Sequence, residues 1–326
     1  MQRWLILLSF AAGCMHPSVR APVSRSRVEY VVHHSTVLGV DKAFLVYIPA
    51  GYDAVPDVRW PVFYYLHGIT SPETEWVRLG KLDQAADRLA LRAIVVMPDA
   101  DDSFYIDSRM PIDFDACLKS GDGLLDPSAD RDATCVHARA YESYVTQELV
   151  ADVDARYRTN TARDGRAIAG VSMGGYGALS IALRHPDQYA AAASHSGVAT
   201  LLYDGPHPFA PGQVRVATSL DRATGADRLR PWMRLVFGDD LSTWTAHDPA
   251  ALIENLPPGM RLPALYLDVG TEDFIVDLTR FLDELLTRHN IPHTIFYGPG
   301  EHSYDFWTAR LPASLTFLSE HTTVAR

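Results

Sequence analysis

The chain has 326 residues, 21% of them charged and 47% hydrophobic, the balance of an ordinary globular protein rather than of a disordered segment or a small disulfide scaffold. Its 29 Lys and Arg against 40 Asp and Glu leave a formal net charge of −11. With no basic run, it lacks the positive footprint that nucleic acid or an anionic lipid surface requires, so neither is an expected partner.

The N-terminal segment reads as a targeting signal. Arg3 precedes a largely apolar run, Trp4 to Ala12, shorter than the ~20 residues needed to cross a bilayer but suited to an export signal. It ends in Ala11-Ala12-Gly13-Cys14, which resembles the lipobox of bacterial lipoproteins, with Ala11 where Leu is usual. Lipidation of Cys14 is one expectation and ordinary signal-peptidase cleavage nearby is the other. Both imply export to the bacterial periplasm or cell envelope. Residues 15–27, with Pro17 and Pro22, read as a tether. The rest, 28–326, reads as a single domain.

Val28–His34 and Lys42–Ile48 alternate with period 2 and form an expected antiparallel opening pair. Val62–Leu66 and Ala93–Met97 are short, continuously apolar and bounded by turn residues, the pattern of strands covered on both faces. Ala167–Ala169, Ala190–Ser194, Leu265–Val269 and Thr294–Tyr297 repeat it. Between them Tyr141–Tyr157, Gly174–Arg184 and Asp277–His289 carry helical spacing. This alternation predicts an α/β fold, a mostly parallel central sheet flanked by helices. Two stretches break it: residues 100–138, rich in Asp, Gly and Ser, and 198–233, rich in Pro, Gly and Arg. Both follow predicted strands, so both are expected as irregular insertions over the carboxyl edge of the sheet, where such folds bind ligands.

Arg166–Gly177 contains Gly170-Val171-Ser172-Met173-Gly174 between a short strand and an Ala/Leu-rich helix. This is G-x-S-x-G in the strand–turn–helix setting that exposes a nucleophilic serine. Side chains two residues either side of the serine would collide in so tight a turn, hence the two glycines. A serine hydroxyl needs a positioned base, itself oriented by a carboxylate, in the chain order Ser, acid, His. His302, in the loop after the last predicted strand, is the expected base. Asp273, in Gly270-Thr-Glu-Asp after the preceding strand, is the favoured acid, with Glu272 and Asp277 as alternatives. Oxyanion donors are expected from the backbone N–H of Met173 and from Ile69, in the loop His67-Gly68-Ile69-Thr70. His67 reads as structural. Gly68, Trp76 and Tyr105 are expected to bind substrate, while Tyr105, Phe209, Trp232 and Trp244 either line the cleft or pack.

With Leu66-His-Gly-Ile, Glu75-Trp76, Tyr141-Glu, Tyr157-Arg-Thr, Gly170–Gly177, Arg184-His-Pro, Ser196-Gly, Gly270-Thr-Glu-Asp273 and Gly300-Glu-His302 in order, the chain resembles the Putative esterase (esterase D-like) family of α/β-hydrolases. That group includes S-formylglutathione hydrolases, feruloyl and acetylxylan esterases and mycolyltransferases. The resemblance implies the α/β-hydrolase fold, a Ser172–Asp273–His302 triad, Ile69 and Met173 as oxyanion donors, and serine esterase activity on short-chain or carbohydrate-linked esters. Acyl transfer to a sugar or lipid alcohol is the alternative activity. A non-catalytic envelope binding protein on the same scaffold is the alternative of another class. The stretch from Cys117 to Cys135 matches no one subfamily. With Cys14 set aside, these two cysteines are expected to pair in an oxidising compartment. Asp122, Asp126, Asp130 and Asp132 invite a calcium reading but lack the ordered spacing of a calcium loop. The histidines show no metal-ligand spacing either, so no metal and no cofactor are expected.

Overall fold

The computed structural model describes residues 25–108, 113–120, 130–225 and 230–326. The export signal, Cys14, most of the tether, Asp122 and Asp126 lie outside them, as do parts of both insertions.

Eight strands form one sheet: β1 (Arg27–Ser35), β2 (Val40–Ile48), β3 (Val62–Leu66), β4 (Ile94–Pro98), β5 (Arg166–Val171), β6 (Ala191–His195), β9 (Ala264–Gly270) and β10 (His293–Gly298). Two-residue strands β7 (Tyr203–Asp204) and β8 (Arg215–Val216) pair as a separate ribbon. The spatial order is β1-β2-β4-β3-β5-β6-β9-β10. The β1–β2 and β2–β4 pairs are antiparallel, and every later pair is parallel. Each predicted strand is present within two residues of its expected ends. Arg27, read from the sequence as the last tether residue, already pairs with Ile48 in β1.

The continuous apolar runs are explained by the two cores. In β3, Val62, Tyr64 and Leu66 enter one hydrophobic cluster while Phe63 and Tyr65 enter the other, and β4 divides Ile94 and Val96 from Val95 and Met97 in the same way. A strand with both faces covered reads as a near-continuous apolar run instead of an alternation. The helix Met173–Arg184 lies in the larger core, every residue through Leu183 buried, and it stops just before Pro186. The predicted helix 141–157 is present as Tyr141–Ser143 and Leu149–Arg156, joined by a π-helical stretch at Tyr144–Glu148. Glu148, on that stretch, accepts hydrogen bonds from the Ser35 hydroxyl and from the backbone N–H and hydroxyl of Thr36.

The insertions are less irregular than expected. The first contains helices Phe114–Ser120 and Arg131–Thr134, and the second contains the β7–β8 ribbon and helix Arg230–Phe237. Phe104 packs edge-on to Phe237 with ring centroids 5.9 Å apart, and the Ser108 hydroxyl donates to the Val236 carbonyl at 2.6 Å. The two covers therefore meet. Cys117 and Cys135 are joined by a disulfide across a sequence separation of 18. Cys117→Ser with Cys135→Ser should lower the unfolding free energy by about 3 kcal/mol through the restored loop entropy of the unfolded chain. A denaturant midpoint equal to that of the native protein would contradict this.

A second polar fastening lies behind the serine helix. Glu142 accepts from Arg184 Nε at 2.9 Å and pairs with His185 at 2.7 Å and His247 at 3.4 Å. Burial disfavours its charge, but His185, His247 and Arg184 outweigh that and hold the carboxyl well below the usual glutamate range. A depressed folded-state pKa gives stability that is complete above the unfolded value of ~4.3 and is lost as pH falls below it. Glu142→Gln should therefore cost about 2–3 kcal/mol at pH 7, the scale of hydrogen bonds to a charged group, and its deficit should shrink toward pH 3. Chemical denaturation at both pH values reads the difference, and an equal deficit at the two would refute the ionic origin.

Candidate active site

Ser172 stands where β5 ends and the helix Met173–Arg184 begins, with φ 55° and ψ −115°. A non-glycine residue in that region carries roughly 1–3 kcal/mol of backbone strain, retained only where the surroundings enforce it. Here they do. The Ser172 N–H donates to the His195 carbonyl at 3.0 Å, and its own carbonyl accepts from Tyr176 at 2.9 Å and Val198 at 3.3 Å. The flanking glycines are required for space. A methyl group on Gly170 would lie 2.3 Å from the backbone of Gly174, as the sequence implies. One on Gly174 would lie 2.3 Å from the Leu66 carbonyl oxygen, so the second glycine answers to the end of β3 rather than to Gly170.

Asp273 and His302 arrive on the loops after β9 and β10, which run parallel with Gly270 opposite Gly298. Thr271 N–H donates to the Gly298 carbonyl at 2.8 Å and Glu272 N–H to the Gly300 carbonyl at 3.1 Å, zipping the two loops together. His302 Nδ1 lies 2.9 and 3.1 Å from the two carboxylate oxygens of Asp273, and its Nε2 lies 3.0 Å from Ser172 Oγ. A carboxylate can only accept, so Nδ1 carries the ring proton and Nε2 is left to accept from the serine hydroxyl. Asp273 is buried and its Oδ1 also accepts from Ile275 N–H at 3.0 Å. The serine and the imidazole keep 9% and 18% exposure, enough to meet a substrate.

The two alternative acids have other partners. Asp277 faces His207 at 2.9 Å and Arg280 at 3.3 Å. Glu272 accepts from Gly300 N–H at 2.5 Å and from the Thr271 hydroxyl at 3.0 Å, bracing the loop that carries His302.

Histidine–carboxylate pairs alone identify nothing here, since His185, His207, His289 and His293 each have one. A second Ser–His–Asp set even exists. His195 Nδ1 lies 3.0 Å from Asp268 and its Nε2 lies 2.8 Å from Ser314 Oγ. His195 and Ser314 have 0% exposure and Asp268 1%. No ester can reach that set, and the Ser314 hydroxyl is also within reach of Tyr65 and the Leu311 carbonyl. Burial separates a structural copy of the constellation from an accessible one.

The loop after β3 lies against the serine. A methyl group on Gly68 would be 3.6 Å from Ser172 Cβ. Met173 is the first residue of its helix, where an N–H has no intrahelical carbonyl and the helix dipole favours negative charge. His67 is structural, as expected. Its Nδ1–H donates to the Gly68 carbonyl at 2.8 Å and its Nε2 accepts from Ala100 N–H at 3.0 Å. Full burial lowers its pKa, so the neutral ring that these two bonds require is also the favoured one.

Trp76 and Tyr105 do not contact the cleft and are corrected as substrate-binding residues. Trp76 has 0% exposure and donates from Nε1 to the Leu66 carbonyl at 3.0 Å. Tyr105 has 1% exposure and donates to the His67 carbonyl at 2.9 Å. Their indole and phenol hold the β3 end in shape, a role their sequence neighbourhood does not distinguish from substrate contact. Trp244 is likewise buried, donating to the Gly238 carbonyl at 2.9 Å. The residue that sequence reasoning missed is Phe274. It is 66% exposed, and its ring lies 4.7 Å from that of His302, which Trp307 meets edge-on at 4.9 Å. A large apolar side chain directly after the acid was its one visible signal.

Among the described residues no cluster of His, Cys, Asp or Glu could hold a metal ion, and no helix is long and apolar enough to cross a membrane.

A parallel sheet with a strained serine turn, and with acid and histidine on the two loops beyond it, defines an α/β-hydrolase. The chain belongs to the Putative esterase family, which it matches over residues 35–318, and it is a serine ester hydrolase by that membership. Its fold is similar to that of Staphylococcus aureus FphF, a fluorophosphonate-binding serine hydrolase (TM-score 0.66, 22% identity, 91% of this chain and 99% of that one). An S-formylglutathione hydrolase from Agrobacterium tumefaciens is equally similar (TM-score 0.66, 22% identity, 91% and 96%). A ferulic acid esterase from Anaeromyces mucronatus covers more of the chain at lower likeness (TM-score 0.56, 16% identity, 97% and 98%).

Proposed function

We propose that the protein hydrolyses short-chain or carbohydrate-linked esters in two steps through an acyl-enzyme on Ser172. His302 Nε2 takes the hydroxyl proton as Oγ bonds to the ester carbon, and the Asp273 carboxylate balances the imidazolium that forms. The carbonyl oxygen becomes an oxyanion held by the Ile69 and Met173 amides. When the tetrahedral species collapses, the carbon–oxygen bond to the alcohol breaks and His302 returns the proton to the departing oxygen. Water then repeats the sequence on the acyl group and frees Ser172. The observation that carries this reading is the unbroken, partly exposed relay from Ser172 Oγ through His302 to Asp273.

The proposal places the enzyme outside the cytosol. The Trp4–Ala12 run supports export, with Cys14 as the lipid attachment point, and the Cys117–Cys135 bridge suits an oxidising compartment. A cytosolic glutathione thioester is then an unsuitable substrate. The test is hydrolysis of p-nitrophenyl esters of increasing chain length beside acetylated and feruloylated polysaccharides, with products analysed in the presence of sugar and lipid alcohols. Free acid as the main product supports hydrolysis, whereas a new ester as the main product would replace it with acyl transfer.

A further inference from the structure

The loop carrying Ile69 is gripped from behind by the segment that follows β4. Residues 101–105 are all 2% exposed or less. Three of them occupy the left-handed region without being glycine: Asp101 at φ 45°, Phe104 at 54° and Tyr105 at 56°. Thr70, in the facing loop, has φ 61°. Side chains resist that conformation, so four such residues in two facing segments mark a backbone held in place by its contacts. Three contacts do the holding. Ala100 N–H donates to His67 Nε2 at 3.0 Å, the Tyr105 hydroxyl donates to the His67 carbonyl at 2.9 Å, and Thr70 N–H donates to Asp102 Oδ1 at 2.7 Å.

The third contact is of a different kind. Asp102 has 0% exposure, and its Oδ2 makes no hydrogen bond to any described residue. Burial, with Asp101 and Asp99 close by, keeps its carboxyl well above the usual aspartate range despite the Thr70 bond. Asp101 does not share this condition, because it pairs with Lys42, His137 and Tyr141. A buried carboxyl with one oxygen unsatisfied is unfavourable for folding, and packing alone gives no reason to place one there. What it does provide is a fixed acceptor for the N–H next in the chain to Ile69.

We propose that Asp102 is a positioning residue for the oxyanion hole: by anchoring Thr70 N–H it fixes the Ile69–Thr70 peptide so that Ile69 N–H faces the oxygen of a carbonyl attacked by Ser172. The role rests on the acyl-enzyme reading above and adds a residue that never touches substrate. An oxyanion donor stabilises the transition state far more than the ground state, so a loosened donor lowers kcat and leaves KM nearly unchanged.

Asp102→Ala and Asp102→Asn separate position from packing, because asparagine keeps an acceptor oxygen where alanine has none. Asp102→Ala should lower kcat by about 30-fold, short of the 10²–10³ for deleting a donor outright, with KM within about threefold. Its labelling by a fluorophosphonate should slow in parallel. Asp102→Asn should keep kcat within about threefold of the native value. If Asp102→Ala does not fold, Asp102→Ser, whose oxygen sits too close to the backbone to reach Thr70, takes its place with the same expectation. A folded Ala or Ser variant with native kcat would overturn the inference, and so would an Asn variant as slow as Ala. The native enzyme in the same series keeps the two claims apart: if it fails to turn over esters and takes no label, the acyl-enzyme reading itself has failed.

Discussion

Ser172→Ala is expected to abolish ester turnover, with kcat falling on the order of 10⁶-fold, the loss seen when a triad serine is removed. The protein should remain folded. The hydroxyl contributes one hydrogen bond, to His302, while the strained turn is maintained by backbone bonds from Ser172 to His195, Tyr176 and Val198 that alanine preserves. Steady-state hydrolysis of a short p-nitrophenyl ester, beside a thermal melt, reads both effects. Ser314→Ala is the control. It disturbs the buried His195–Asp268 set and should lower stability, yet leave kcat within about twofold. A Ser314 variant that loses activity while Ser172→Ala retains it would move the nucleophile to the other face of the sheet.

The second large effect is expected at the acid. Asp273→Asn puts an amide beside His302 Nδ1, where the carboxylate now accepts at 2.9 Å. An amide N–H donating to Nδ1 forces the ring proton onto Nε2, which then cannot take the proton of Ser172. A fall of about 10⁴ in kcat follows if the acid behaves as in other triads. Asp277→Asn should change kcat little, because Asp277 is engaged with His207 and Arg280. Glu272→Gln should cost at most about fivefold, by slackening the brace on Gly300. The reverse ranking, with Asp277→Asn severe and Asp273→Asn mild, would reassign the acid.

The sheet was legible because both of its faces are buried. Runs such as VFYYL and AIVVM have one reading when turn residues bound them, and β3 and β4 lie within a residue of where those runs end. The serine turn was legible because Gly170 answers to a local collision, with the backbone of Gly174, that any tight strand–turn–helix must avoid, although Gly174 itself answers to the distant Leu66 carbonyl. His302 could be placed by strand counting alone. The acid could not be fixed so firmly, since Glu272, Asp273 and Asp277 all lie within one loop and helix start, and only the direction of each side chain separates them. Trp76 and Tyr105 misled for a related reason. An aromatic residue near a site sequence looks the same whether it faces the cleft or lies behind the wall. Phe274, Asp102 and the Ser314–His195–Asp268 set depend on contacts between distant segments, with Asp102 meeting Thr70 across 32 positions and His195 meeting Ser314 across 119. No periodicity encodes such meetings.

The most direct test of the central claim is chemical trapping of the acyl-enzyme. The protein is mixed with p-nitrophenyl acetate, quenched in acid within the first turnover, digested, and its peptides are weighed. The expected result is a burst of p-nitrophenolate matching the chain concentration and an acetyl group on the peptide containing Ser172, lost in the Ser172→Ala variant. Rapid turnover with no acetylated peptide in a quench faster than deacylation, or an acetyl group on any other residue formed at the rate of turnover, would contradict it.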